Sequence, residues 1–215
     1  VDFEVRPYDR ADRADVHRIG ADTAFFGEPI EAFLDDRRLW CDAFCTYYTD
    51  LESEHSWVAC AGQKVIGFLF GCVDTELQQR RWRREILAVV MWRALRGRYQ
   101  LGRITWRYTA KMIQASLRGE FARVDLATYP AHLHINVEGH WRAQGAGRRM
   151  MEAYLDQLRQ LGVPGVHLHT TSLNEAACRL YTRVGFRLLD AHLTRVWSHL
   201  VARPVENRCY GLELA

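Results

Sequence analysis

At 215 residues, 48% hydrophobic and 26% charged, the chain is long enough for one well-filled core and has the balance of a globular protein. No stretch approaches the roughly 20 apolar residues of a membrane span, and Val1-Asp2-Phe3-Glu4-Val5-Arg6 lacks the basic-then-apolar layout of a signal peptide. Cysteines at 41, 45, 60, 72, 178 and 209 form no CxxC pair, which argues against a zinc or disulfide framework and for a reducing cytoplasm; a net charge of +3 is too small to argue nucleic-acid binding by itself.

Residues 2–8 alternate as a short strand, and Asp9 offers a cap to a helix over 10–24 that buries Val16, Ile19 and Ala24. Pro29 begins a second helical region carrying Ile30, Phe33, Leu34, Trp40, Phe44 and Tyr48. Residues 56–61 and 64–73 around Gly62-Gln63 read as a hairpin. Residues 75–122 then break the pattern with helical runs from Glu76 to Leu95 and from Arg103 to Leu117, separated by a Gly97/Gly102 break. From Glu76 to Arg123 there are twelve Lys or Arg and three acids, so this insert carries +9 and the remainder −6. It reads either as an amphipathic pair with a solvated basic face or as a basic cap for an anionic ligand or surface. Ala88, Val89, Val90, Trp92, Ile104, Trp106 and Met112 are expected to pack inward.

A strand at 128–138 follows, then the turn Arg142-Ala143-Gln144-Gly145-Ala146-Gly147-Arg148, then a helix at 146–161 stopped by Gly162. Beyond it come a strand at 166–171, a helix at about 173–184 ending at Gly185, a strand over Phe186-Arg187-Leu188-Leu189, a polar-aromatic loop and a closing segment at 207–214. One mixed sheet covered by helices, in a single domain over 1–215, is the expected α/β architecture.

A Gly-rich turn from strand into helix presents unpaired backbone N–H groups at the positive end of the helix dipole, a site suited to phosphate. Met150 stands where a Rossmann fingerprint needs its third glycine, and no Gly-Lys-Ser/Thr of a P-loop is present. The pattern that fits is Gln/Arg-x-x-Gly-x-Gly/Ala, written here as Arg142-Ala143-Gln144-Gly145-Ala146-Gly147. With His134-Ile135-Asn136-Val137 before it, and Asn174 and Leu180-Tyr181-Thr182-Arg183-Val184-Gly185-Phe186 after it, the half-chain resembles the GCN5-related N-acetyltransferases (GNAT). More narrowly, 129–135 and 162–168 resemble bacterial relatives of the acetyltransferase-like domain of O-GlcNAcases.

The resemblance implies a GNAT fold, a mixed sheet of six to seven strands splayed between two parallel strands, with acetyl-CoA as co-substrate. Backbone groups of Ile135 and Val137 would pair with the pantetheine arm, and amides from Arg142, Ala143, Gln144, Gly145, Ala146, Gly147 and Arg148 would wrap the pyrophosphate. Cβ atoms at 145 and 147 would obstruct the phosphate oxygens. Asn174 would fix the cofactor or cap the last helix. Tyr181 would protonate or hydrogen-bond the departing sulfur, and the Val137 N–H, beside a bulge implied by the resemblance, would face the oxyanion.

A lysine-type amine with a pKa of about 10.4 is only about one part in 2,500 neutral at pH 7, so a base or relay is useful. Period two puts His132, His134, Asn136 and Glu138 on one face of their strand, with His167 and His169 alternating on the next. Glu138 and His134 are the candidate bases, and Asn136 a group that orients the amine or a water. No carboxylate or cysteine spacing turns the histidines into a metal site. The expected function is N-acetyl transfer to a small-molecule or peptide amine by direct attack in a ternary complex, the loop 191–206 contacting the acceptor. An acetyl-CoA-binding pseudoenzyme and an anionic-surface or nucleic-acid binder are the alternatives, with no membrane partner expected and a homodimer left open.

Overall fold

The computed structural model describes residues 2–214. Its strands are β1 (Glu4–Pro7), β2 (Trp57–Ala61), β3 (Lys64–Cys72), β4 (Ala131–Val137), β5 (Gly165–Thr171), β6 (Arg187–Thr194) and β7 (Val205–Glu213). They form one seven-stranded sheet in the order β1-β2-β3-β4-β5-β7-β6. Only β4 and β5 run parallel as neighbours, and they share two rungs, Ala131 with Val166 and His132 with His167. Every other neighbouring pair is antiparallel.

The helices are α1 (Arg13–Asp22), α2 (Arg37–Trp40), α3 (Thr75–Arg81), α4 (Ala88–Leu95), α5 (Arg103–Leu117), α6 (Ala146–Gln160) and α7 (Glu175–Val184). A capping box at Asp9, reciprocated by Asp12, opens the short 3-10 turn ahead of α1. The region after Pro29 is less regular than one helix: α2 continues as π-helical turns over Cys41–Cys45 and Tyr47–Leu51. In the insert, α3 runs through another π-helical turn, Trp82–Leu87, into α4. The strand expected at 186–189 runs on through residues 191–194, which were expected in the loop, so that β6 extends along β7 over 187–194.

The sheet buries a core on each face. On one side α6 presents Ala146, Met150, Met151, Tyr154, Leu155 and Leu158 at helical spacing to Ile66, Leu69 and Leu133. On the other, Val16, Ile19, Tyr47 and Tyr48 meet Val58, Phe68 and Phe70, with Ile86 and Val90 of the insert added. Strand β3 changes face order at a bulge, where Ala59 pairs with Gly67 but Cys60 with Val65, leaving Ile66 extra. The insert departs from expectation in one respect. Val90 is buried, but Val89, Trp92 and Trp106 are exposed by 45%, 50% and 63%, so those side chains point to solvent rather than into the core.

Tyr154 of α6 fastens the centre. Its buried hydroxyl accepts from the Cys72 N–H (3.0 Å) and shares its proton between the Cys72 and His132 carbonyls (2.9 and 3.1 Å). It thus ties the end of β3 to β4 at the rung where β5 begins to diverge. Replacing Tyr154 by Phe leaves the buried Cys72 N–H unsatisfied, so a loss of about 1–3 kcal/mol is expected in urea unfolding. A variant as stable as the parent would contradict this fastening role.

Candidate functional site

Beyond the rung His132–His167, β4 and β5 separate, and the β5-facing edge of β4 from Leu133 to Val137 has no partner strand. At the end of this opening lies the Gly-rich turn. Trp141 and Arg142 N–H groups bond back to Glu138 and Gly139, and Arg149 N–H bonds to Gly145. Between them, the amides from Ala143 to Arg148 have no acceptor among the described residues, and no side chain caps α6. Ala143 and Gly145 are left-handed, with φ of 61° and 95°, which turns successive N–H groups into one concavity.

The two glycines serve different ends. A Cβ on Gly145 would meet no protein atom within 4 Å, although φ still favours glycine there. A Cβ on Gly147 would meet Leu180 at 3.3 Å and Ile135 at 3.6 Å. Glycine at 147 thus eases the packing of α6 against β4 and α7, a role beside the phosphate clearance expected from sequence. The side chain of Arg142 folds back to the carbonyls of Val137 (3.1 Å) and Gly27 (2.8 Å), while Arg148 reaches Glu152 (2.7 Å) in the exposed first turn. Asn174 does not cap α7 with its side chain, so the capping alternative falls.

No bulge interrupts β4: Gly67 to Cys72 pair in unbroken register with Val137 to His132. The bulge implied near Val137 is absent from the described strand, and the opening arises from the early parting of β5 instead. Ile135 and Val137 pack towards α6, beside Leu180 and the buried Tyr181. The Tyr181 ring lies 6.3 Å from Phe186 and 5.8 Å from Tyr210. A left-handed Gly185 holds this arrangement, with the Phe186 N–H bonded to the Tyr181 carbonyl. Burial pushes the Tyr181 phenol up, so it remains a proton donor, and its hydroxyl has no hydrogen-bond partner among the described residues.

The opposite face of β4 is imidazole-rich. Tyr48 Oη lies 2.7 Å from His132 Nε2 and Thr75 Oγ1 lies 2.7 Å from Nδ1. The Thr75 hydroxyl already donates to Pro130, so Nδ1–H is assigned as donor and Nε2 as acceptor. His132 is thereby a fixed neutral ring. His167 Nδ1 bonds the Tyr129 carbonyl (2.8 Å). His134 lies edge-on to Phe44 at 4.7 Å, with no protein hydrogen bond among the described residues. Burial and the neighbouring imidazoles push His134 down to about 3 and His132 well below its ordinary range; burial lowers His167 and His169 too. The rings run along the strands, 5.4 to 5.7 Å apart from one to the next, and make no metal-holding cluster among the described residues.

These four histidines floor a cavity of about 600 Å³, walled by Phe44, Tyr48 and Trp82. Asn136, two residues beyond His134, donates to Thr23 Oγ1 (2.7 Å), which leaves its carbonyl oxygen free to accept. Glu138 stands apart. Arg18 (2.6 Å) and Lys64 (3.0 Å) take its two oxygens, and these cations lower its pKa. The carboxylate is ionised but committed, which argues against it as the base. Of the loop at 191–206, Trp197 lies 5.1 to 5.5 Å from Phe25, Phe26, Phe33 and Tyr108 in an aromatic cluster. Thr75, Trp82 and Tyr48 were not anticipated at the site; only the β-strand alternation of the histidines hinted at partners opposite.

Residues 112–186 match the family described as Acetyltransferase (GNAT) family. Over 56 residues the chain is 43% identical to a mycothiol acetyltransferase of Nocardiopsis dassonvillei, a match covering 26% of this chain and 17% of that protein. The chain therefore spans about a sixth of that relative's length. The crystal structure of SsHAT superposes over the whole of both chains with a TM-score of 0.74 and 29% identity. The structure of yncA, a putative acetyltransferase from Salmonella typhimurium with acetyl-CoA, covers 99% of this chain and 94% of that one, with a TM-score of 0.60 and 15% identity.

Imidazoles held below their ordinary pKa of about 6.5 refuse protons that the unfolded chain accepts. Their stabilising effect is complete above that pH and is lost as pH falls towards the folded values. The melting temperature is expected to drop between pH 7 and pH 5, before most carboxylates titrate. His134→Gln is expected to lower the proton uptake on unfolding at pH 5 by about one. Unchanged stability across that range would contradict the neutral-histidine assignment.

Proposed function

Proceeding from the match of residues 112–186 to the GNAT family and the likeness of the whole fold to SsHAT, we propose that this chain transfers the acetyl group of acetyl-CoA to a primary amine by direct attack. The observation that carries this reading is the opening between β4 and β5, ended by the unpaired amides of Ala143 to Arg148. An extended pantetheine can pair with the free edge of β4 at Ile135 and Val137. The pyrophosphate can then accept from the amide concavity at the α6 N-terminus.

The chain's own groups divide the chemistry. The free Asn136 carbonyl oxygen accepts an N–H of the amine and turns the nitrogen lone pair towards the thioester. The Val137 N–H is the candidate oxyanion donor. Tyr181, kept protonated by burial, donates to the sulfur as the carbon–sulfur bond breaks, so that the amine gains the acetyl group and CoA leaves as its thiol. Neutral His134 has a lone pair available at every physiological pH. With its pKa so low it cannot take a proton from an ammonium; it accepts a hydrogen bond from the attacking nitrogen, whose surplus proton passes to solvent as the amide forms. The amine must therefore arrive unprotonated.

Six unpaired cysteines support a reducing compartment, the cytoplasm. No helix among the described residues is long and apolar enough to cross a membrane.

Two measurements test this reading. Below the amine's own pKa, kcat/KM for the acceptor in a thiol-release assay should rise about tenfold per pH unit, following the neutral amine fraction. A flat profile, or one set by a group near pH 6.5, contradicts the roles given to His134 and the amine. Tyr181→Phe should lower kcat at least about tenfold with acetyl-CoA affinity retained, while Gly145→Val should abolish that affinity in calorimetry. Full affinity in Gly145→Val would remove the pyrophosphate assignment.

A further inference from the structure

We propose that the acceptor is a small primary amine that also carries a negative charge, a carboxylate or phosphate, and that Arg123 in the wall of the histidine-floored cavity receives that charge. This rests on the acetyl-transfer reading above and narrows it.

The cavity lies on the acceptor side of β4 and β5, at the rungs where the strands part, with His134 and His169 at its floor. Its volume of about 600 Å³ suits a small molecule. Its lining includes no Asp or Glu among the described residues. Gln78 and Gln79 are neutral, and the imidazoles are uncharged at neutral pH. Arg123 is thus the sole formally charged lining group. Its backbone N–H is anchored by Asp190 (2.7 Å), while its guanidinium is in no ion pair among the described residues. Asp190 itself turns to His192 (3.0 Å) and does not line the cavity.

This lining discriminates by charge. A polyamine would bring a second ammonium, with no carboxylate to meet it and a guanidinium nearby, and an unpaired cation withdrawn from water is strongly disfavoured. A carboxylate or phosphate finds a planar, permanently charged donor suited to bidentate contact. The aromatic faces of Phe44, Tyr48 and Trp82 can cover the molecule's apolar body. The wider field points the same way: α3 and the segment at 122–126, which build one wall, belong largely to the stretch that carries +9. Such a cap raises the local concentration of anionic ligands.

The test separates binding from turnover. Calorimetry on the CoA-saturated protein compares α-amino acids and amino-sugar phosphates with uncharged amino sugars and with spermidine and agmatine, and a thiol-release assay runs beside it with acetyl-CoA. An anionic amine should bind at least ten times more tightly than spermidine or agmatine, and the two anionic arms show whether carboxylate or phosphate is the charge read. Arg123→Glu should remove that preference, and Arg123→Lys should restore part of it. Equal or tighter binding of the dications, a preference that survives Arg123→Glu, or no binding by any anionic amine would each overturn the proposal. Anionic amines that bind through Arg123 but release no thiol would support the pocket's charge preference and count against the transferase reading instead.

Discussion

The early parting of β4 from β5 is the constraint on which the rest of the site depends. A central strand normally spends its N–H and C=O groups on both neighbours, and buried groups left over are costly. Here β4 gives one edge to β3 along six rungs and the other to β5 for two. Strand β5 turns its remaining capacity to β7 over its whole length. The seam is held open by packing rather than by strain: Tyr154 fixes β4 to β3 at the last shared rung, and Gly147 lets α6 approach Ile135 and Leu180 closely. What remains is a strand edge seeking an extended partner, with an anion cradle where that partner would end.

Period-two alternation then gives β4 two unrelated tasks. Leu133, Ile135 and Val137 face α6 and complete the apolar core, while His132 and His134 floor the cavity and Asn136, on the same side of the strand, bonds Thr23. A strand one residue out of register would exchange these faces, so the same burial that stabilises the fold also aims the polar groups. The polar face is itself graded. His132 is locked between Tyr48 and Thr75, His134 keeps unbonded nitrogens beside Phe44, and Asn136 has one end tied and one free.

Most of this was legible because it is local. The hairpin, the limits of α5 and α6, the glycine stops and the amide turn follow from patterns within a dozen residues. The departures lie where distant residues decide. Glu138 reads as a base on its strand, yet Arg18, 120 positions earlier, and Lys64 occupy it. The capping role for Asn174 and the bulge at Val137 also required three-dimensional knowledge that no spacing contains. The insert misled in the opposite sense. Its helical periodicity was correct, but the expectation that Trp92 and Trp106 pack inward assumed that an apolar residue in a folded segment must be covered.

The amide turn and the outer wall of the histidine-floored cavity are consequently built from different parts of the chain. Strand β4, the amide turn, α6 and α7 lie within residues 112–186, the stretch that matches the family. The wall of the histidine-floored cavity comes in part from α3, the turn at Trp82 and the segment at 122–126, all inserted between two strands that are adjacent in the sheet. An insertion between β3 and β4 can change length and charge without disturbing their pairing, because Tyr154 and the unbroken register already hold them. The apolar core requires β4, α6 and α7 in a nearly fixed arrangement, whereas the insert has only to bury residues such as Ile86 and Val90 and present a wall. Charge in that wall can therefore vary at little cost to the fold, whereas the glycine turn is bound into the packing of α6 against β4 and α7.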